Sequence, residues 1–153
     1  PRTGAAPALA YTLTFLAFFA HNVAELVSGL PDWAAAQGLP IGPAQFANAL
    51  ALLTLVAGIL LFIGRTRQFN RPAQIAVAAL GGALLANVAS HAAVSLRTWS
   101  PMPGLFTAIA LVLPSAAWLL LRLPLDRRTK TIAGLSGAGA IPLFAGFALL
   151  IAR

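Results

Sequence analysis

The stretch AQFANALALLTLVAGILLFIG, residues 44–64, decides the fold, because it is apolar almost throughout and contains no charged side chain. A helix needs roughly 20 mostly apolar residues to cross the hydrocarbon core of a bilayer. This stretch has that length, and four further stretches of the chain resemble it. It therefore predicts a transmembrane helix and a chain built from such helices.

The composition supports a membrane location for the whole chain. Of its 153 residues, 59% are hydrophobic and 8% are charged, whereas about a quarter of the residues in soluble domains are charged. The net charge of +7 does not indicate nucleic acid as a partner, because the basic residues lie between apolar runs and act there as topology signals. The chain has no cysteine, which excludes disulfides and thiolate metal sites.

Five predicted spans divide the chain, and they leave no room for a soluble domain. We predict an all-α, polytopic transmembrane helix bundle forming a single domain over residues 1–153. Prolines at positions 43, 72 and 103 suit the first turn of a following helix, and glycines at 81, 82, 134, 137 and 139 suit close helix approach. The spans cover approximately residues 7–29, 44–64, 73–96, 104–123 and 131–152.

The basic residues predict the orientation of the bundle. If the spans alternate, Arg97 and Arg153 fall on one side of the membrane and the other basic residues on the opposite side. Because cytoplasmic loops are rich in Lys and Arg, we expect a cytoplasmic N-terminus, with the loops at 30–43 and 97–103 facing outward. The residues expected in the cytoplasm are Arg2, Arg65, Arg67, Arg71, Arg122, Arg127, Arg128 and Lys130.

Five polar side chains interrupt the first three spans at one predicted depth: His21, Glu25, Asn48, Asn87 and His91. Residues four apart share a helix face, so His21 pairs with Glu25 and Asn87 with His91. A charged side chain at the middle of a membrane helix costs about 2.5–3.5 kcal/mol on insertion scales, so Glu25 should face the bundle and find a partner. We predict one pocket, open toward the outer leaflet and lined by the first three spans.

A structural explanation of the same residues is that each forms an independent contact between helices. Polar contacts of this kind are common in membranes and stabilise them by about 0.6 kcal/mol on average, and for Asn48 alone we favour this interpretation. The shared depth and the two pairs favour a functional pocket for the set.

The segment His21-Asn22-Val23-Ala24-Glu25, followed by Leu30-Pro31 and Trp33, resembles the opening of the HXXEE-motif family of bacterial membrane proteins. Its histidine segment matches Asn87 and His91, and its Tyr-x-Pro-Gly element aligns with residues 101–104. The resemblance covers roughly residues 8–120 and implies the bacterial inner membrane, but no settled activity. The chain departs from the motif at Ala24, where the first glutamate is expected, and at Pro101, where the tyrosine is expected.

Three functional hypotheses follow. In the first, His21, Glu25 and His91 bind Zn or Fe and the protein is a membrane-embedded enzyme acting on an apolar or lipid substrate. Asn48 or Asn87 would orient a ligand or a substrate oxygen; without a metal, Glu25 paired with His21 would be the catalytic base. In the second, His21 and His91 ligate a haem or a chlorophyll-type ring. In the third, the chain is an accessory subunit bound to other membrane subunits.

Overall fold

The computed structural model describes residues 6–152, and this part of the chain is helical without any strand. Of its six helices, all except α2 are long and apolar enough to cross a membrane, which is consistent with a multi-pass membrane protein. The helices are α1 (Ala8–Val27), α2 (Leu30–Ala36), α3 (Pro43–Thr66), α4 (Arg71–Thr98), α5 (Leu105–Arg122) and α6 (Arg127–Ile151).

Five helices coincide with the predicted spans to within four residues at each end, and α2 is an addition to them. The sequence predicted a loop over residues 30–43, but Gly29 with φ +73° precedes a short helix that has Pro31 in its first turn. Pro43 and Pro72 lie in the first turns of α3 and α4, as predicted. Pro103 does not lie in a first turn, because Gly104 intervenes before α5 with φ +86°.

Small residues allow α4 and α6 to pack closely along most of their length. A Cβ atom on Gly82 would overlap the backbone of Gly134, and one on Gly137 would overlap the backbone of Ala79. The predicted close approach is therefore confirmed for Gly82, Gly134 and Gly137. It is wrong for Gly139, since a Cβ atom there would meet nothing within 4 Å.

Helix α5 contains a π-helical segment, Ala108–Val112, which ends two residues before Pro114. A proline cannot donate the backbone hydrogen bond that continues an α-helix, and π-helical turns accommodate such interruptions, often near functional sites. The Thr14 hydroxyl of α1 donates to the Ala10 carbonyl oxygen at 2.8 Å and shares this proton with the Ser115 carbonyl oxygen at 3.1 Å. This contact packs α5 against α1 at a position after the π-helical segment, whereas Gly104 and Thr107 precede that segment.

Three clusters of buried apolar side chains stack along the bundle. The first, around Tyr11 and Leu119, lies at the end where α1 begins, and the second, around Phe18 and Val112, fills the middle. The third joins Leu30 of α2 to Phe46 and Leu50 of α3. The polar residues of α1 lie between the second and third clusters.

Seven basic residues lie at the end of the bundle where α3 meets α4 and α5 meets α6, and Arg97 lies at the other end, as the sequence predicts. Arg2 and Arg153 lie outside the described residues. Asp126 caps α6 there: the Thr129 hydroxyl and backbone N–H donate to its carboxylate at 2.6 and 2.9 Å. Arg71 lies 3.6 Å from the same carboxylate. The Thr129 hydrogen bonds, aided by Arg71, lower the pKa of Asp126 below its usual value.

Candidate functional site

Both histidines and the single glutamate of the chain meet at one buried point. Glu25 Oε1 lies 2.8 Å from His91 Nε2 and 3.4 Å from His21 Nε2. His21 and Glu25 share a face of α1 because they are four residues apart, and α4 brings His91 to them. The exposed fractions of His21, His91 and Glu25 are 0%, 1% and 6%. We call these three residues the His/Glu cluster.

The surroundings of His21 define which of its ring nitrogens carries the proton. Thr107 donates its hydroxyl proton to the Gly104 carbonyl oxygen at 2.9 Å, so the same hydroxyl accepts a proton from His21 Nδ1 at 3.1 Å. Nε2 faces the cluster, 3.0 Å from the Asn87 side-chain amide and 3.4 Å from Glu25 Oε1. Thr107 therefore fixes the orientation of the ring and directs Nε2 toward Glu25.

His91 belongs to the C-terminal part of α4 and enters the cluster from that helix. Its Nε2 donates to Glu25, whereas its buried Nδ1 has no hydrogen-bond partner among the described residues. The two imidazole rings meet edge to face with centroids 4.9 Å apart. A buried ring nitrogen without a partner is uncommon in proteins, so the cluster retains unused hydrogen-bonding or ligating capacity.

Gly104 closes the cluster at the start of α5. A Cβ atom at this position would lie 2.7 Å from Glu25 Cγ, 3.0 Å from His21 Cε1 and 3.3 Å from His91 Cε1. Glycine is favoured here for two reasons. A side chain would overlap the cluster, and the φ of +86° lies in the left-handed region. The Pro-Gly element is thus part of the site, although the sequence analysis assigned it no role there.

Of the five polar residues that the sequence predicts to share a pocket, four lie close together in the structure and one does not. His21, Glu25, Asn87 and His91 come together, but Asn48 is exposed, because α3 turns Phe46, Ala49 and Leu50 inward instead. The expectation that Asn48 lines the pocket is therefore wrong. The cluster itself comes from the first and third spans, α1 and α4, and Gly104 and Thr107 of the fourth span pack against it.

The second span contributes through a residue pair that the sequence analysis did not assign to the site. Asn22, which is 5% exposed, donates from its side-chain amide to the Thr54 hydroxyl on α3 at 2.7 Å. Ala24, where the motif would have a carboxylate, is half-buried. The three residues of the cluster meet without any contribution from that position.

An apolar cavity of about 350 Å³ lies beside the cluster, between α1, α3, α4 and α6. The polar residues that line it are Asn22, Glu25 and Asn87, and the rest of its wall is apolar or glycine. Ligand sites in proteins are typically mostly apolar cavities with a few convergent polar groups. The arrangement therefore joins a polar, titratable cluster to a space suited to an apolar ligand.

The three residues of the His/Glu cluster form a set that can hold a metal ion. Each of His21, Glu25 and His91 offers one ligand atom, and these atoms lie within 4.8 Å of one another. Two imidazoles and a carboxylate are a ligand set found at Zn sites and at non-haem Fe sites.

Comparison with known proteins identifies one family. The model of the family described as "Protein of unknown function with HXXEE motif" matches residues 12–119, well over half of the chain. The matched region contains the His/Glu cluster together with Asn87, Gly104 and Thr107. No curated protein and no solved structure matches the chain.

Proposed function

Because the chain belongs to the HXXEE family, whose function is unknown, we propose a function from the site itself: a membrane-embedded, metal-dependent enzyme that acts on an apolar or lipid substrate. The observation that carries this proposal is the convergence of His21, Glu25 and His91 inside a bundle of apolar helices. We place the protein in the bacterial inner membrane, with membrane lipids as its surroundings.

The distances within the cluster suit a small divalent ion. Ligand atoms about 2.0–2.1 Å from a tetrahedral zinc ion lie roughly 3.3 Å from one another. The measured separations from Glu25 Oε1, 2.8 Å to His91 and 3.4 Å to His21, bracket that value. Three protein ligands also leave coordination positions free, as in catalytic rather than structural sites.

Charge gives a second argument for a cation. A carboxylate buried at membrane depth is costly unless an opposite charge compensates it, and the ion-pair partners of Glu25 are the two histidines. Histidine binds metals as the neutral imidazole, so a bound ion would take the place of a proton between the histidines and Glu25. A divalent ion would neutralise Glu25 and use the lone pair of His21 Nε2.

The roles of the residues follow from these contacts. When bound, a divalent ion would supply Lewis-acid activation of a water or a substrate oxygen. Thr107 holds the ring of His21 in the tautomer that presents Nε2. Asn87 lines the cavity and donates toward the cluster, so its amide can orient a substrate oxygen. Glu25 also lines the cavity and can accept a proton there.

The two other hypotheses fit this geometry less well. A tetrapyrrole ligated by both histidines needs space between the rings, but the rings are in edge contact and Glu25 bridges their Nε2 atoms. An accessory subunit explains the cluster as a contact that merely holds α1 and α4 together. That explanation does not account for the cavity that opens beside Glu25.

The experiment is to measure bound metal in purified protein after incubation with Zn²⁺ or, anaerobically, with Fe²⁺. We expect about one ion per chain in the wild type and binding weakened by at least about a hundredfold in His91→Ala. Asn48→Ala is the matched control, because it removes a polar side chain from an exposed position in the same half of the bundle. It should bind metal like the wild type.

Equal metal content in the wild type and His91→Ala would contradict the proposal. Absence of bound metal from a wild type that has the same unfolding temperature as His91→Ala would contradict it as well. A wild type that binds no metal and a His91→Ala variant that unfolds at much lower temperature would instead support the structural role of an accessory subunit.

A further inference from the structure

The cavity beside the cluster has a shape and a lining that identify a substrate class. It follows α4 from Asn87 to Ala76, a distance of about 16 Å at the helical rise per residue. Its volume of about 350 Å³ is at the small end of the range for ligand sites. An elongated space of this size accommodates one extended alkyl chain.

The polar groups lie together toward one end of the cavity. Asn87 of α4, Glu25 and Asn22 are in the half of the bundle that contains the cluster, whereas Ala76 and Leu60 mark the opposite, apolar end. The Glu25 side chain keeps 8% of its surface accessible, and this residue lines the cavity. A ligand would therefore place an oxygen-bearing group at the cluster and its chain along α4.

The chemistry of the lining selects among lipids. No lysine or arginine lines the cavity, so it lacks the basic groups with which proteins usually bind phosphate. Amides and a carboxylate are instead suited to hydrogen-bonding a hydroxyl or a carbonyl group. By contrast, a larger surface groove between α1 and α3 has Arg65 at one end, which suits an anionic lipid there.

The cavity also has access to the surrounding bilayer. Val56 of α3 and Phe144 of α6 line it, and they are 45% and 61% exposed on the outside of the bundle. The two helices are tied together nearer the cluster, where the Gln45 side-chain amide donates to the Leu149 carbonyl oxygen at 2.7 Å. A lipid chain can therefore enter sideways between α3 and α6.

We propose that the substrate is a neutral single-chain lipid with a hydroxyl or carbonyl headgroup, which enters between α3 and α6 and places its headgroup at Glu25 and Asn87. This inference rests on the proposed function, since it names the substrate of the same site. It excludes diacyl phospholipids as occupants of the cavity.

The test uses palmityl alcohol carrying a photoactivatable diazirine near the end of its chain, added to the purified full chain in detergent. We expect crosslinks at the apolar end of the cavity wall, at residues such as Leu60 and Ala76. Ala145→Phe, at a half-buried position in the cavity wall, should reduce them by about tenfold. Ala110→Phe, at an exposed position of α5 outside the cavity, is the control and should leave them unchanged.

Competition by two unlabelled lipids distinguishes a site for a neutral single-chain lipid from a site for a phospholipid. Unlabelled palmityl alcohol should abolish the crosslinks, whereas a phospholipid such as phosphatidylglycerol should not. Crosslinks confined to the outer groove between α1 and α3, or competition by the phospholipid alone, would overturn the inference. The mapping on the wild type needs no variant, so it decides the matter even if Ala145→Phe fails to fold.

Metal binding, measured on the same preparation, distinguishes this inference from the proposed function. Metal bound at the cluster without crosslinks in the cavity would overturn the substrate class and leave the metal site standing. Crosslinks in the cavity without any metal bound would support a lipid-binding site and overturn the metal-dependent enzyme.

Discussion

At the scale of single residues, the proton on His21 depends on a hydroxyl from another helix. Thr107 accepts from His21 Nδ1 and donates to the Gly104 carbonyl oxygen, which directs His21 Nε2 into the cluster. Groups of this kind, which orient a ligating histidine without touching the metal, often change metal affinity strongly. Thr107 is such a positioning residue.

Thr107→Val replaces the hydroxyl by a methyl group of similar size. It leaves His21 Nδ1 without its acceptor, so we expect metal affinity to fall about 10–100-fold. Thr107→Ser keeps the hydroxyl and should restore affinity to near the wild-type value. Isothermal titration of both variants with Zn²⁺ checks this. Equal affinity in Thr107→Val and the wild type would show that the contact does not orient His21.

Gly104→Ala should disturb the cluster by steric overlap. The added Cβ atom would meet Glu25 and both histidines, in addition to the strain of a φ of +86°. Gly38→Ala is a closely matched control, since Gly38 has a φ of +82° and nothing within 4 Å of an added Cβ atom. We expect both variants to lose some thermal stability, but only Gly104→Ala to lose metal binding. Loss of metal binding in both would contradict the steric explanation.

The members of the cluster could be predicted from the sequence because two rules apply to single helices. Spacing by four residues pairs His21 with Glu25, and the cost of a charge in lipid requires Glu25 to turn inward. The exposure of Asn48 could not be predicted, since the rotation of α3 depends on how Phe46 and Leu50 pack. Thr107 pairs with His21 across 86 residues of sequence, and no local pattern indicates such a contact.

At the scale of secondary structure elements, α4 and α6 form one wall of the cavity. Their glycines permit close approach, and the alanines of the same faces, such as Ala79 and Ala83, leave space on the side toward α3. Small residues therefore both bring these helices together and keep the cavity open. The sequence predicted the first effect from composition, but the second depends on where α3 lies.

Gly137→Ala tests this packing, because the added methyl group would overlap the backbone of Ala79. Overpacking of this kind costs about 1–3 kcal/mol, so we expect a lower unfolding temperature in detergent. Gly139→Ala, two residues away on the exposed side of the same helix, should be neutral or slightly stabilising. Equal effects of the two substitutions would show that α4 and α6 are not in close contact.

The N-terminus of α6 gives a pH dependence. The pKa of Asp126 is lowered in the folded protein, so its contribution to stability is present above the usual aspartate pKa, near 4, and is lost as the pH falls through the lowered value. Asp126→Asn should therefore reduce the unfolding temperature at about pH 7, and this reduction should become smaller as the pH falls below about 4. A difference from the wild type that stays constant over this range would contradict a contribution from the ionised carboxylate.

At the scale of the whole molecule, the bundle is asymmetric in charge and in chemistry. Most of the basic residues lie in or directly beside the loops joining α3 to α4 and α5 to α6, and the His/Glu cluster lies in the opposite half. Because basic loops stay in the cytoplasm, the cluster should lie in the half of the membrane that faces outward. A substrate would then come from the outer leaflet.

Single cysteines can measure this orientation directly, since the chain has none of its own. We expect Gln37→Cys and Ser100→Cys, at exposed positions near the cluster end, to react with a membrane-impermeant maleimide in intact bacterial cells. Phe69→Cys, at a 93% exposed position in the basic loop between α3 and α4, should react only after the cells are permeabilised. The reverse labelling pattern would place the cluster in the cytoplasmic half and redirect the search for its substrate to the inner leaflet.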